Sequence, residues 1–319
     1  MTATLNLEVL REQSVLVTGA KGFVGSHLVN ALRTAGCRVT ETSSRPDVDT
    51  NTMHCDLQSD AGWKKAMQGV DVVVHLASRV HTMKDTSRNS LDAYRELNVE
   101  GSLRVSRFAA EAGVKRMVYL SSIKALGEET EEGDPFFSDQ RGDPTDPYGI
   151  SKAEAEDCLI NQLHQTGKVE VVIIRPPLVY GKGVGGNLAS LAKVVGRGVP
   201  LPFGSIKNKR DLVGIENLCD WIAVAMIHPD ASGHRFVVSD GCAASTPELI
   251  RLIAELQGGN ARLFCFPESV LRSLLAGIGK AEVWSRISGN LEVDLGETSR
   301  LLGWTPRNSL RDGLKNWLR

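Results

Sequence analysis

The chain has 319 residues, 42% hydrophobic and 24% charged, a composition that suits a folded globular protein with a full core and a second domain or large extension. Its 37 basic and 38 acidic residues leave a net charge of −1, so it lacks the basic excess of a nucleic-acid or polyanion binder. No run reaches the roughly 18 apolar residues of a membrane span, and the N-terminus carries charges where a signal peptide needs an apolar core.

The six cysteines, Cys37, Cys55, Cys158, Cys219, Cys242 and Cys265, form no CxxC pair and read as buried small hydrophobes in a reducing, cytoplasmic compartment. In chain order, SVLVT (14–18) predicts a first strand and 23–35 a helix. Strands at 37–43, 70–77, 115–122 and 169–176 alternate with helices at 60–68, 90–112 and 147–165. Several strands are apolar almost throughout, as strands covered on both faces are. In 90–112, Leu91, Tyr94, Leu97, Gly101, Val105 and Phe108 form one stripe at spacings of three and four. The alternation predicts an α/β fold with a doubly wound parallel sheet over residues 1–180. Beyond Tyr180 the texture turns to loops, prolines and isolated helices, beginning with one near 187–196, and predicts a smaller domain over 181–319. The acidic stretch GEETEEGDP (127–135) reads as a solvated loop.

Between the first strand and first helix stand Gly19, Gly22 and Gly25. Gly19 suits the tight turn, Gly22 lets backbone amides approach a pyrophosphate, and Gly25 permits close packing of helix on strand. The helix N-terminus adds partial positive charge for an anion. In this strand–turn–helix setting the glycines predict dinucleotide binding. An NAD binder usually carries a carboxylate at the end of the second strand. Here that position falls on Ser43, followed by Ser44 and Arg45, with Glu41 two residues early and Arg33 as a second cation. Hydroxyls and a cation suit a 2′-phosphate, so NADP(H) is favoured and NAD(H) remains open. Asp56 follows the third strand, where it could accept from the adenine amino group, cap the helix at 60–68, or both.

DPYGISKAEAE places Tyr148 and Lys152 four residues apart on one helix face. A free phenol titrates near pH 10. A lysine cation one turn away, with an oxidised nicotinamide ring, would lower that toward neutrality. Ser121 and Ser122 sit at the carboxyl end of a predicted strand, where open α/β sheets hold ligands, and Ser122 can donate to a substrate oxygen.

Together, VTGAKGFVGSHL, CDL, VVVHLAS, LNVEGSLRV, VYLSSIKALG, DPYGISKAEAE, IIRPPLVYG and KRDLVGIENLCDWI resemble an extended short-chain dehydrogenase/reductase of the nucleotide-sugar epimerase/reductase branch. The resemblance spans about residues 14–228 and returns near the C-terminus in LEVDLGETSRLLGWTPRNSLRDGL. It implies a Rossmann domain with a return segment near 211–228, and a nucleotide-sugar-binding domain over 181–319. Tyr148 would be the acid/base, Lys152 its electrostatic partner, and Ser122 the donor to substrate oxygen. Phe23, Val24, Leu57, Leu76, Ala77, Ser78, Pro177 and Val179 would join the glycines along the cofactor, with Asn98 bracing the sheet. His81, Asn187, Leu201, Phe203 and Arg210 would meet the UDP-sugar, although Arg210 can also be read as a surface ion-pair partner of Asp211. Cys265, Phe264 and Phe266 read as core. Asn217 departs from the family's more usual Asp. A homodimer through the helices at 90–112 and 147–165 is implied by the same analogy.

The family's dehydratases follow the catalytic hydroxyl with an acidic pair, whereas Ile123 and Lys124 follow Ser122 here. Two enzymatic readings remain, with a non-catalytic cofactor sensor as a distant third. A 4-ketoreductase takes hydride from NADPH and a proton from Tyr148. A 4-epimerase oxidises C4 and returns hydride to the other face. The missing carboxylate at Ser43 favours an exchangeable NADP(H), hence the reductase. ASRVHTM, SSIKALGE and GVPLPFG also resemble the branch acting on N-acetylated 6-deoxy-4-keto-hexosamines in surface-polysaccharide assembly.

Overall fold

The valine- and isoleucine-rich runs become the strands of one sheet. The computed structural model describes residues 7–45, 52–80, 90–277 and 281–319. Its strands are β1 (Ser14–Thr18), β2 (Arg38–Ser43), β3 (Thr52–His54), β4 (Val72–His75), β5 (Arg116–Leu120), β6 (Glu170–Arg175), β7 (Leu178–Tyr180), β8 (Leu212–Gly214) and β9 (Arg235–Val237). Seven of them pair in the order β3-β2-β1-β4-β5-β6-β9, every pair parallel. The chain winds outward from β1 in one direction and from β4 in the other. The carboxyl ends of these two neighbours therefore mark the crevice where such sheets bind ligands.

Alternation along each strand sends side chains to two covered faces. Val15, Val17, Val72, Val74, Val118 and Ile174 pack against Leu28 and Leu32 of the helix Phe23–Thr34 and Leu218, Trp221 and Ile222 of the helix Ile215–Ile227. Leu16, Val73, Met117, Val171 and Ile173 face Val105 and Ala109 of Gly101–Ala112 and Ala155 and Leu159 of Pro147–Thr166. The apolar stripe over 90–112 is continuous, but Glu96–Glu100 forms a wider π turn that carries Asn98. The helix expected at 60–68 contracts to Trp63–Ala66, because Gly62 before it holds a left-handed φ of 85° with no room for a Cβ beside the His54 carbonyl.

After β7 the helices Gly186–Gly196, Thr246–Leu256 and Leu310–Leu318 enclose a separate cluster around Tyr180, Leu188, Leu212, Ile250 and Leu314. β7 pairs only with β8 among the described residues, and single bridges tie Leu201 to Leu263 and Arg210 to both Ala244 and Leu291. β7, β8 and β9 are three residues each, too short to stand out from loop sequence.

Several expectations need correction. Cys37, Cys55 and Cys219 are buried, but Cys242 and Cys265 are exposed. Phe264 is 46% exposed and meets Phe266 edge-on at 6.4 Å, so this pair is not core. The acidic loop is solvated at Glu131 and Glu132, yet Glu128 accepts from the Thr145 hydroxyl (3.1 Å) and Asp146 amide (3.1 Å), and Glu129 accepts from Ser285.

Candidate active site

The strands' carboxyl ends open into one cleft of about 880 Å³. The glycine turn forms its floor. Gly19 has φ +67°, and a Cβ there would lie 2.9 Å from the Ala77 amide nitrogen. A Cβ on Gly25 would lie 2.2 Å from the Gly19 carbonyl oxygen, so the turn closes on itself only with glycine. No side chain caps the following helix at Gly22, which leaves its first amides for an anion. This bare backbone at a helix N-terminus fits a dinucleotide's pyrophosphate.

Every residue expected along the cofactor lines the cleft except Asn98: Gly19, Gly22, Phe23, Val24, Gly25, Ser43, Ser44, Arg45, Asp56, Leu57, Leu76, Ala77, Ser78, Tyr148, Lys152, Pro177 and Val179. Asn98 lies one layer deeper. Its Oδ1 accepts from the Arg79 amide (2.7 Å), and its Nδ2 donates to the Arg79 carbonyl (3.1 Å) and Ser151 Oγ (3.0 Å), tying the segment after β4 to the Tyr148 helix. At the end of β2, Ser43 Oγ accepts from the Arg45 amide, 3.2 Å away. Glu41 is buried and pairs with Arg33 Nη2 at 2.6 Å. Arg33 is thus a partner of Glu41 rather than a second phosphate ligand. Asp56 Oδ1 accepts from the Gln58 amide (3.0 Å), so it closes a turn, and Gly62, not Asp56, precedes the short helix.

Ser122, Tyr148 and Lys152 line the same cleft as the glycines. Asp146 positions the tyrosine by accepting from the Tyr148 amide (2.9 Å) and the Gly149 amide (3.3 Å), and it pairs with Lys124. Ser122 Oγ accepts from the Lys124 amide (3.2 Å) and remains within hydrogen-bonding reach of the Tyr148 phenol. The serine is both a turn cap and a neighbour of the phenol. Lys152 is 1% exposed and donates to the Leu120 carbonyl (2.8 Å) and Tyr119 Oη (3.2 Å). Burial pushes its ammonium down to about 7, against the pull of Glu156. Burial also pushes the Tyr148 phenol up to about 12, with the Ser122 hydrogen bond acting the other way. The expected lowering by Lys152 does not arise from the chain's own groups, because Nζ is turned into the sheet, 5.9 Å from the Tyr148 ring centroid.

Of the residues expected at the sugar nucleotide, Ser122 and Tyr148 line this cleft and Asn187, Leu201, Phe203 and Arg210 do not. Asn187 is exposed in the first turn of Gly186–Gly196. Leu201 and Phe203 pack against the C-terminal cluster. Arg210 Nη1 donates to the Gly289 carbonyl (2.9 Å), while Asp211 accepts from the Val293 amide (3.0 Å), so the two do not form the ion pair that the bare sequence suggested. His81 lies outside the described residues.

Sequence reasoning missed a buried polar layer behind the site. His75 and Tyr119 are register partners on β4 and β5, both fully buried, beside Thr18 and Ser102. The available signal was a histidine and a tyrosine inside otherwise apolar strands.

The sequence profile of the NAD dependent epimerase/dehydratase family matches residues 15–239. A UDP-glucose 4-epimerase of Vibrio cholerae is 39% identical over 308 residues, covering 95% of this chain and 94% of the relative. A ceramide reductase of Caulobacter vibrioides is 26% identical over 308 residues, covering 92% of this chain and 86% of the relative. The solved structure of MoeE5 in complex with UDP-glucuronic acid and NAD superimposes with a TM-score of 0.75 at 26% identity, covering 96% of this chain and 97% of that one.

Proposed function

The chain belongs to the NAD dependent epimerase/dehydratase family, and from that premise we propose that it is a UDP-sugar 4-epimerase, inverting C4 of a UDP-hexose or UDP-N-acetylhexosamine. The observation that carries this reading is the meeting of Ser122, Tyr148 and Lys152 in one cleft with the glycine turn, in a chain 39% identical to a UDP-glucose 4-epimerase over nearly its whole length. Tyr148 Oη takes the proton from the C4 hydroxyl and later gives it back. Ser122 donates to the same oxygen. Lys152, together with the oxidised nicotinamide when bound, would supply the positive charge that lets the phenol lose its own proton first. When bound, the nicotinamide cofactor supplies a hydride acceptor that becomes a donor. The glycine turn and the first amides of Phe23–Thr34 hold its pyrophosphate. His81, Asn187, Leu201, Phe203 and Arg210 are assigned to the sugar nucleotide, and residues 181–319 to its domain, by the same reading. A homodimer through 90–112 and 147–165 goes with it. No described helix is long and apolar enough to cross a membrane.

One observation favours a second reading, a 4-ketoreductase using NADPH. The end of β2 presents Ser43, Ser44 and Arg45 to the cleft, and the nearest carboxylate on that strand, Glu41, is turned inward onto Arg33. The test offers purified protein UDP-glucose and UDP-N-acetylglucosamine in one arm, and a UDP-6-deoxy-4-keto-hexosamine with NADPH in the other. Formation of the C4 epimer with no net change in nicotinamide absorbance supports the epimerase. Absorbance loss in the second arm alone rejects it for the reductase.

A further inference from the structure

Hydrogen-bond bookkeeping behind Lys152 leaves little freedom. Thr18 Oγ1 already accepts from the Leu76 and Ala77 amides, at 3.1 and 3.0 Å. Its own proton therefore goes to His75 Nδ1, 2.7 Å away. The imidazole is neutral, since burial pushes it down to about 3, so its remaining proton sits on Nε2 and is donated to Ser102 Oγ at 3.0 Å. The Ser102 proton goes to the Asn98 carbonyl, 2.6 Å away. An ammonium can only donate. The lone pairs of Tyr119 Oη thus face Lys152 Nζ at 3.2 Å, and the ring lies 4.6 Å below the same nitrogen.

We propose that Tyr119, its ring packed beside the buried His75 at 5.6 Å, is a positioning residue that holds the Lys152 ammonium against the sheet and turns its third N–H toward the cleft. Two of the three protons are committed, to Tyr119 Oη and to the Leu120 carbonyl, and Lys152 lines the cleft with what remains. The groups packed around this nitrogen are His75 on β4, Tyr119 on β5, and Tyr148 and Glu156 on its own helix. Glu156 is itself engaged by Arg175 of β6 and Arg235 of β9, at 2.6 and 3.2 Å. The charge that helps Lys152 most is therefore shared with two guanidinium groups, which leaves the neutral oxygens at contact distance, the Leu120 carbonyl and Tyr119 Oη, as its local support.

The role given to Lys152 rests on the proposed function, but the test does not need turnover. Full-length protein labelled with 15N-lysine is titrated with no nucleotide added, following the Lys152 Nζ resonance, assigned by its loss in Lys152→Met. Tyr119→Phe keeps the ring and removes the acceptor. The cation loses a hydrogen bond, so the midpoint falls by about one pH unit. Tyr119→Leu removes the ring as well as the acceptor and gives a larger fall in the same direction. An unchanged midpoint in a Tyr119→Phe protein that melts like wild type overturns the proposal. If that variant does not fold, an unchanged midpoint in Tyr119→Leu overturns it. Lack of activity on any UDP-sugar alongside a shifted midpoint counts against the reaction and leaves the positioning role standing.

Discussion

Asn217→Asp restores the residue more usual at this point in the family, and here it should destabilise. Asn217 Nδ2 donates to Asp240 Oδ1 (2.7 Å) and to the Asn308 carbonyl (2.8 Å), while its Oδ1 accepts from the Arg307 and Asn308 amides at 3.1 and 3.0 Å. The amide is used at both ends. Asp240 also accepts from Tyr180 Oη (2.6 Å) and the Gly214 amide (2.9 Å) in a buried site. A carboxylate at 217 keeps the accepting side and loses both donations, one of them to a charged partner. Those two bonds come to about 3 kcal/mol, before any repulsion between carboxylates in contact. With an unfolding entropy of about 2.1 cal/mol/K per residue, that lowers the melting temperature of the chain by about 4–5 °C. The deficit depends on pH with a definite sign. Burial already holds Asp240 above the usual carboxylate range, and a second carboxylate raises the pair further. The folded variant therefore binds more protons than its unfolded chain, so the loss is largest at pH 8 and shrinks as pH falls toward 5. Calorimetric melting at the two pH values, with Asp240→Asn as the second leg of a double-mutant cycle, reads it out. A variant melting within about 1 °C of wild type at pH 8 refutes the reasoning.

Tyr148→Phe should lower kcat by about 10²–10⁴-fold, while nicotinamide binding by calorimetry stays within a few-fold; unchanged turnover removes the tyrosine from the chemistry. Gly25→Ala puts a Cβ 2.2 Å from the Gly19 carbonyl and 2.8 Å from Ala20 Cα, both backbone, so dinucleotide affinity should drop at least tenfold. Wild-type affinity in that variant would show that the turn is not the seat. Ser43→Asp sets a carboxylate at the end of β2 and should raise the kcat/KM ratio of NAD over NADP at least tenfold, by accepting from a ribose hydroxyl and repelling a phosphate. An unmoved ratio means that the adenosine ribose lies elsewhere.

The sheet was legible because its signals are local. Val15 to Thr18, Val72 to His75 and Arg116 to Leu120 each read as a strand from a handful of side chains, and the glycines punctuate the first crossover. Tyr148 and Lys152 were legible because one helical turn relates them. What the sequence concealed depends on contacts between distant segments. Arg33 appeared available until β2 placed Glu41 against it. Arg210 appeared to be an ion-pair partner of Asp211, but adjacent residues in an extended segment point opposite ways. Asn217 looked like a departure from pattern until Asp240, 23 residues on, supplied its reason.

The same physics explains why cofactor and chemistry were easier to read than substrate and direction. Ser122, Tyr148 and Lys152 serve an epimerase and a ketoreductase alike, since both move a hydride and a proton at the same carbon. The two reactions differ in whether the dinucleotide stays between turnovers, and that depends on its dissociation from the wall rather than on the proton-transfer groups. The wall at the end of β2 is made of exposed Ser44 and Arg45 and a half-buried Ser43 whose Oγ accepts from the Arg45 amide. Such residues leave little pattern in a sequence, yet the choice between retention and exchange rests on them. Measuring the dissociation rate of each dinucleotide from the wild-type protein therefore discriminates the two reactions more directly than further substitution of Ser122, Tyr148 and Lys152.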